Sequence, residues 1–387
     1  MRRNLRIIYA TSALVWARFF LPVLALFYIA SQVPFEQFGI IMAVFAGVTL
    51  LLEIPSGLLT DLIGKRKALI ISRSCYLLEV ILLAFTNGFW PFLIAKVISG
   101  VGVSLSSGTD SAMLYDTLRR SFKEHRHIEI KGVTTMITNI SMGVTFIVGA
   151  YLFSINPKLP AFVSIPFLAL ALALTFFLKE PYKPNRHLAL NSVSRHLEQG
   201  LRYFSRHKHV KYLVFYALPF TAAVSILLAS SSAYYKAVHI PVSLIGVVAF
   251  AVVMVRAWSS RNAYKVEKQL GEHASLILVA AAFNVIMLLM ALMLPYISVI
   301  FYLALALVDG FFLVILDNYL NKHIETGSRA TMLSINSLFA NLGVVILFPI
   351  IGAVKGAHGF GPAYAILAGV VALYMVGFWI FFHRRKI

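Results

Sequence analysis

The chain has 387 residues and a mean hydropathy of +0.84, and only 13% of its residues are charged. Soluble globular proteins carry about 25% charged residues, so this composition excludes a soluble fold and indicates an all-α membrane protein. The single cysteine, Cys75, excludes an intramolecular disulfide.

Long apolar runs predict twelve transmembrane helices. The first run covers residues 9–30 and contains one charged residue. At about 1.5 Å per residue it reaches ~33 Å, enough for a hydrocarbon core of ~30 Å. The other predicted spans lie near residues 37–58, 68–87, 90–115, 130–154, 160–178, 212–235, 242–260, 273–294, 296–320, 330–354 and 361–382.

A polar stretch divides these spans into two sets of six. We predict an N-terminal six-helix bundle over residues 1–178, a cytoplasmic linker over 179–211 and a C-terminal six-helix bundle over 212–387. Apolar linker residues recur at helical spacing between cations, which predicts an amphipathic helix on the inner leaflet. The linker histidines show no spacing typical of a metal site, and we predict neither a metal nor a cofactor.

The cations predict the orientation, because Lys and Arg are retained on the cytoplasmic side. Most of the 34 lie on the side of the N-terminus, and only Lys158, Lys236 and Lys355 fall in loops of the other side. Both termini are therefore expected in the cytoplasm, with the chain in a plasma membrane, as in the bacterial inner membrane. This topology and the attraction to anionic lipid account for the net charge of +19, so we predict no nucleic-acid partner.

The two halves contain a faint repeat. Ile63-Gly64-Lys-Arg-Lys-Ala-Leu-Ile70 resembles Leu270-Gly271-Glu-His-Ala-Ser-Leu-Ile277, and both stretches follow the second span of their half. Two related halves about an axis along the membrane normal are one way to build a carrier.

The loop after the second span identifies a family resemblance. It reads Gly57-Leu-Leu-Thr-Asp61-Leu-Ile-Gly64-Lys65-Arg66-Lys67, and it resembles motif A of the major facilitator superfamily. Lys96-Val-Ile-Ser-Gly100-Val-Gly102 resembles motif B of that family, with lysine where arginine is usual. Glu53-Ile-Pro-Ser-Gly57 and Arg329-Ala-Thr-Met-Leu-Ser334 resemble a subgroup of drug or metabolite exporters.

The resemblance implies a secondary active transporter that works by alternating access and is not an enzyme. We expect proton-coupled export of a small amphipathic organic molecule, hence an antiporter that functions in efflux, as a monomer in the bilayer. An uptake carrier or facilitator is the alternative, since Gly143 to Gly149 lack the proline of many exporters. A non-transporting receptor or an intramembrane enzyme is more remote, because all eleven histidines lie in loops or at span ends.

Motif A is predicted to act as a conformational latch. Gly57 would let its helix approach a neighbour closely, and Asp61 would accept hydrogen bonds at the N-terminus of the eleventh helix. Gly64 would reverse the chain, while the cations Lys65, Arg66 and Lys67 would hold the loop inside. Alternatively, the cations serve the topology alone.

Charges inside the spans are the candidates for substrate and proton coupling, since each costs about 2.5–3.5 kcal/mol at a helix centre. They are Arg18, Glu79, Lys96 and Asp309. Any one of them could instead form a purely structural ion pair. Charges nearer the cytoplasmic ends predict a charge network of Glu53, Arg73, Asp110, Asp116, Arg256, Asp317 and Arg329.

The proton could travel through Glu79 or Asp309. Asp309 is preferred, because its neighbours in the sequence, residues 306–312, are apolar and offer no adjacent counter-charge. Aromatic residues of the first and tenth spans could line an apolar cavity for the substrate. They are Trp16, Phe19, Phe20, Phe27, Tyr28, Phe311, Phe312 and Tyr319.

Overall fold

The computed structural model describes residues 2–122, 126–182, 202, 204, 206–323 and 329–383. Every regular element in these ranges is helical, as the composition predicts. The α-helices are α1 (Arg2–Leu14), α2 (Leu24–Ala30), α3 (Phe35–Ile63), α4 (Lys65–Phe85), α5 (Phe89–Ser106), α6 (Thr109–Arg119), α7 (His127–Ile155), α8 (Leu159–Phe176), α9 (Lys208–Ala237), α10 (Val242–Ala291), α11 (Ser298–His323), α12 (Arg329–His358) and α13 (Phe360–His383).

Ten helices within the described ranges are long and apolar enough to cross a membrane. The predicted number of twelve spans is not reached, for two reasons. The first predicted span, residues 9–30, is broken into α1 and α2. In addition, α10 contains two predicted spans, because its 50 residues comprise two helical segments that meet at Gly271, whose backbone angles are not helical.

Glycine marks the corresponding point of the two halves. Gly64 precedes α4 with φ +94°, and Gly271 interrupts α10 with φ +76°. Both angles lie in the left-handed region, which favours glycine. The faint repeat in the sequence therefore corresponds to the same backbone conformation at the same place in each half.

The break in the first predicted span lies between Leu14 and a 3₁₀ turn, Leu21–Val23, that directly precedes α2, and it contains Arg18. Irregular backbone at membrane depth is tolerated only where its polar groups find partners inside the protein. Here the amide of Phe19 donates to Ser164 Oγ at 3.0 Å, and Ser141 Oγ donates to the Ala13 carbonyl at 2.7 Å.

A glycine of α7 makes room for this broken stretch. A Cβ added at Gly149 would overlap the carbonyl of Phe19, so any other residue there would displace the backbone next to Arg18. The sequence carries one signal for the break, which the prediction of a single continuous span overlooked: Pro22 has no N–H to donate to the carbonyl of Arg18, four residues earlier.

Clustering of the backbone contacts divides the chain into two compact units. The first unit comprises Met1–Val23, Ala30–Val33 and Val44–Arg195, and the second comprises Leu24–Ile29, Pro34–Ala43 and His196–Ile387. The predicted amphipathic helix of the linker covers residues 190–208, most of which lie outside the described residues; residues 202, 204 and 206 are described and are helical.

Each unit has its own packed interior. In the first unit Leu69, Met113 and Leu118 pack in one buried cluster near the start of α4 and along α6. In the second unit Phe220 contacts Phe283 and Phe312, with ring centroids 5.2 and 5.7 Å apart. These interiors position the charged side chains that the apolar helices contain.

Candidate functional site

Three of the four predicted coupling residues meet in the first unit. Glu79 Oε1 lies 2.7 Å from Lys96 Nζ, and Glu79 Oε2 lies 3.5 Å from Arg18 Nη1. Ser99 Oγ donates to Glu79 Oε2 at 2.8 Å. The exposed fractions of the three charged side chains are 1% for Glu79, 5% for Lys96 and 12% for Arg18. We call Arg18, Glu79 and Lys96 the charged triad.

Close packing of α4 against α5 brings Glu79 to its partners. Lys96 and Ser99 are three residues apart and therefore share one face of α5. A Cβ on Gly102 would lie 2.9 Å from Cys75 Cβ, and Ser72 Oγ donates to the Gly102 carbonyl at 2.7 Å. Small residues on α5 thus bring the two helices near enough for a direct ion pair, as is common in membrane proteins.

Aromatic rings surround the cations of the charged triad. The Arg18 guanidinium carbon lies 3.8 Å from the centroid of the Tyr76 ring. Lys96 Nζ lies 5.8 Å from the Phe20 ring and 5.4 Å from the Phe45 ring. Cation–π attraction stabilises a buried cation in part, and more strongly when water is excluded.

The fourth predicted coupling residue, Asp309, lies in the second unit with a different partner. Its Oδ2 lies 2.8 Å from Arg256 Nε, and the exposed fractions of the side chains are 6% for Asp309 and 39% for Arg256. The prediction that Asp309 has no adjacent counter-charge is therefore wrong. The cation comes from α10, and the apolar neighbours of Asp309 within α11 gave no sign of it.

A glycine brings α10 and α11 together at this ion pair. A Cβ on Gly310 would overlap the carbonyl of Arg256, so the residue beside Asp309 must be small. Ser259 Oγ donates to the Leu307 carbonyl at 2.6 Å, and Ser260 Oγ donates to the Gly310 carbonyl at 3.0 Å. Arg256 was assigned to the cytoplasmic charge network, but these contacts place it with Asp309.

The loop of motif A is held mainly by a residue that the sequence analysis missed. The Glu180 carboxylate accepts hydrogen bonds from the backbone amides of Lys65 at 3.0 Å and Arg66 at 2.8 Å. It thereby satisfies two free N–H groups at the start of α4, where a negative charge is favoured. A Cβ on Gly64 would lie 3.1 Å from Glu180 Oε2, which gives a second reason for glycine there.

Two of the three cations of the motif have separate partners. Lys65 forms an ion pair with Asp116, and Arg66 Nη2 donates to the Phe176 carbonyl at 2.7 Å, whereas Lys67 is exposed. These contacts lie within the first unit, so Lys65 and Arg66 have a structural role there.

The other two residues of the motif lie in more open surroundings. The expected close approach is not seen at Gly57, where a Cβ would meet no described atom within 4 Å. Asp61 is exposed. The latch at Asp61 stays a prediction.

Part of the predicted charge network is present within the first unit. Arg73 Nη2 lies 2.6 Å from Asp110 Oδ1, and Lys65 pairs with Asp116 as described above. Glu53 and the exposed Asp317 form no ion pair with a described residue, so the predicted network is not seen at these two acids. The side chain of Arg329 lies outside the described part of the chain.

Sequence reasoning missed Ser99, Tyr76 and Glu180. Ser99 carries a usable signal, because it follows Lys96 by three residues on the same helix face. Tyr76 likewise precedes Glu79 by three residues. Glu180 lies more than one hundred residues from the loop that it caps, and no local pattern relates the two.

Comparison with known proteins agrees with this architecture. The family model of the Major Facilitator Superfamily matches residues 7–316. The tetracycline resistance protein, class B, of Escherichia coli is 24% identical over 146 residues, which are 37% of this chain and 35% of that protein. An uncharacterized transporter of Buchnera aphidicola is 26% identical over 110 residues, 28% of this chain and 26% of its own length. The chain thus matches only about a third or less of these relatives.

Solved structures show the fold along the whole chain. The nucleoside transporter NupG superposes with a TM-score of 0.79 at 12% identity, covering 97% of this chain and 98% of that chain. The D-xylose–proton symporter has a TM-score of 0.70 at 12% identity, covering 96% of each chain.

A bacterial homologue of the human lysosomal transporter Spinster has a TM-score of 0.74 at 14% identity, covering 97% of this chain and 95% of its own. The family model covers well over half of the sequence, and the fold matches along nearly all of it. The chain therefore belongs to the major facilitator superfamily and is a transporter, not an enzyme.

Proposed function

We propose that the chain is a proton-coupled secondary transporter that exports a small amphipathic organic molecule by alternating access. The observation that carries this proposal is the burial of two separate carboxylates, Glu79 and Asp309, inside apolar helices. Buried ionisable groups at membrane depth are costly and typically mark substrate or ion pathways. One carboxylate could then serve the substrate while the other carries the proton.

Asp309 is the better proton carrier. The reason is no longer its apolar sequence neighbours but the exposure of its partner, Arg256. Protonation of Glu79 would leave two buried cations without a counter-charge. Protonation of Asp309 would leave only Arg256, whose side chain is 39% exposed and can turn toward water. Because uncompensated charge is far cheaper near water than in a low-dielectric interior, the second unit is the easier place to bind and release a proton.

The arrangement in the membrane is part of the same proposal. We propose twelve spans in two six-helix bundles, residues 1–178 and 212–387, joined by a cytoplasmic linker over 179–211. Residues 2–30 would form one broken span and α10 two spans. Both termini would be cytoplasmic, and the protein would act as a monomer in a bacterial inner membrane.

Motif A is proposed to act as the latch of the cytoplasmic side. Asp61 is the acid available for this role, because it is exposed while Asp116 is already paired with Lys65. The latch would hold the outward-facing state and release when the transporter changes state.

The direction of transport is the finer part of the proposal. Export is supported by the partial likeness to a tetracycline resistance protein. Uptake is the second candidate, because a D-xylose–proton symporter shares the fold and no proline occurs between Gly143 and Gly149.

Two experiments test the proposal. Growth and accumulation assays over a panel of amphipathic compounds, with and without a protonophore, identify a substrate and its direction. Lower accumulation in expressing cells, reversed by the protonophore, is expected. Equal accumulation under both conditions contradicts proton-driven export.

Proteoliposomes then assign the coupling residue. Asp309→Asn should abolish accumulation against a gradient, spare exchange and flatten the pH dependence of transport. Asp317→Asn, at an exposed acid of the same helix, is the matched control and should retain accumulation. If Asp309→Asn keeps full proton-driven transport and Glu79→Gln loses it, the proton travels through α4. If both keep it, the protein is a facilitator.

A further inference from the structure

The charged triad carries an unbalanced charge in a place where imbalance is costly. Arg18 and Lys96 contribute two positive charges and Glu79 one negative charge, and all three side chains are at least mostly buried. Among the described residues no other acid lies within ion-pair distance of either cation. A buried cation without a counter-charge costs several kcal/mol, so a site of net charge +1 attracts an anion.

The triad also has hydrogen-bond donors to spare. Arg18 Nε is buried and has no hydrogen-bond partner among the described residues. Lys96 Nζ donates to Glu79 Oε1, and an ammonium group has three donors in all. Each carboxylate oxygen of Glu79 already accepts one hydrogen bond, Oε1 from Lys96 and Oε2 from Ser99. The unmet requirement of the site is therefore for acceptors, which is what an anion supplies.

Arg18 is the member of the triad that a ligand can reach first. Its side chain is 12% exposed, compared with 5% for Lys96 and 1% for Glu79. The adjacent Trp16 is 39% exposed, and the Tyr76 ring covers the other part of the guanidinium. Aromatic rings thus lie beside both cations of the triad.

We propose that the charged triad is the substrate site and that the substrate is an organic anion, with an acidic group beside an apolar body. The acidic group pairs with Arg18 and Lys96, and the apolar body packs against Trp16 and the rings of Phe20 and Tyr76. Glu79 is the internal counter-ion that holds the two cations in place between substrates. This inference rests on the proposed transport function and names the substrate class of that function.

The experiment measures binding to the purified full-length protein in lipid nanodiscs, without any proton gradient. The probes are benzoate, benzamide and benzylammonium, which share a ring and differ in charge. Thermal stabilisation and calorimetric affinity are compared at constant ionic strength. Benzoate should bind at least about tenfold more tightly than benzamide, and benzylammonium should not bind, because charge complementarity decides between them.

Variants of the triad give effects of opposite sign. Lys96→Gln and Arg18→Gln each make the net charge zero and should weaken benzoate binding by about tenfold or more. Glu79→Gln raises the net charge to +2 and should tighten benzoate binding, with a larger thermal stabilisation than in the wild type. Arg119→Gln, at an exposed cation of α6, is the charge-matched control and should change nothing.

Three results would overturn the proposal. The first is that benzamide binds as tightly as benzoate, the second that chloride alone gives the same stabilisation, and the third that folded Glu79→Gln weakens benzoate binding as Lys96→Gln does. Each of these is independent of coupling, because no gradient is present. If benzoate binds selectively but transport does not depend on protons, the proposed proton coupling is wrong and the proposed substrate class stands. If transport is driven by protons but benzoate does not bind selectively, the proposed substrate class is wrong and the proton coupling stands.

Discussion

The two units bury one carboxylate each, and they neutralise it in different ways. In the first unit Glu79 has two cations and a serine hydroxyl within reach, and 1% of its side chain is exposed. In the second unit Asp309 has one cation, Arg256, whose side chain is 39% exposed. The first arrangement keeps the acid ion-paired and has a net charge of +1. The second is neutral, and its cation is more exposed than either cation of the first.

The backbone around the two acids differs as well. Arg18 reaches Glu79 from the irregular stretch between α1 and α2, whereas Arg256 reaches Asp309 from a regular stretch of α10. Both arrangements depend on one glycine, at position 149 in the first unit and at 310 in the second. Two ion pairs of similar geometry can therefore depend on backbone of different regularity, an irregular stretch at Arg18 and a helix at Arg256.

The largest expected effect is on stability. Glu79→Gln, without added organic anion, should lower the free energy of unfolding by about 3–5 kcal/mol, because it leaves two buried cations uncompensated. Asp309→Asn should cost about 1 kcal/mol or less, because Arg256 can turn toward water. Thermal unfolding of the purified variants in detergent measures both.

Asp317→Asn is the control for this comparison, since Asp317 is exposed and should contribute little. Equal losses at Glu79 and Asp309 would show that the two arrangements do not differ in the way their exposure indicates.

The two glycines provide a matched pair of smaller changes. Gly149→Ala and Gly310→Ala should each cost about 1–3 kcal/mol, because the new methyl group overlaps a backbone carbonyl. Only Gly149→Ala should also weaken benzoate binding, since it displaces the stretch that carries Arg18. Thermal unfolding and calorimetry of the same preparations separate the two effects.

Gly369→Ala on α13 is the control for both glycines. A Cβ there meets no described atom within 4 Å, and alanine favours a helix. Loss of benzoate binding in Gly310→Ala, or its retention in a destabilised Gly149→Ala, would break the link between each glycine and its own site.

The helical fold could be read from the sequence because apolar runs report directly on membrane spans. The break at residues 15–20 was not predicted, although Pro22 in that run cannot donate a backbone hydrogen bond to Arg18. The partners of the broken backbone, such as Ser164, come from α8 and leave no local pattern. The interruption of α10 at Gly271 agrees with the two spans predicted there, because the sequence around this glycine is polar enough to indicate a boundary between them.

The candidate site was predictable as a set of residues but not as a set of pairs. The cost of charge in a span selected Arg18, Glu79 and Lys96, and they do meet. The same rule selected Asp309 but could not find Arg256, because the pairing depends on the packing of α10 against Gly310. Which charges pair depends on contacts between residues far apart in the sequence, and no local pattern of a single sequence indicates these contacts.

A third prediction concerns the latch, whose effect should be on transport more than on stability. Asp61→Asn should keep the protein folded, because Asp61 is exposed, but it should impair transport by destabilising the outward-facing state. Cysteines introduced on the cytoplasmic side should become more accessible to a thiol reagent. Lys67→Gln, at an exposed cation of the same motif, is the comparison variant. Normal transport and unchanged accessibility in Asp61→Asn would leave topology as the role of the motif.

The smallest expected effect concerns Lys158, a cation of the first unit that lies outside the spans. Its Nζ donates to the carbonyls of Leu83 at 2.8 Å and Thr86 at 2.6 Å, while burial lowers the pKa of Lys158 from 10.5 to about 8. Between about pH 8 and pH 10.5 the folded protein therefore binds fewer protons than the unfolded chain, so its free energy of unfolding should rise as the pH increases through this range. Lys158→Gln cannot titrate and should lack this part of the rise, which thermal unfolding at several pH values would measure as a difference between the two proteins. Parallel curves for the wild type and Lys158→Gln would show that the ammonium remains charged throughout. Lys158 would then be a third buried or half-buried side chain of the first unit that stays positively charged, besides Arg18 and Lys96.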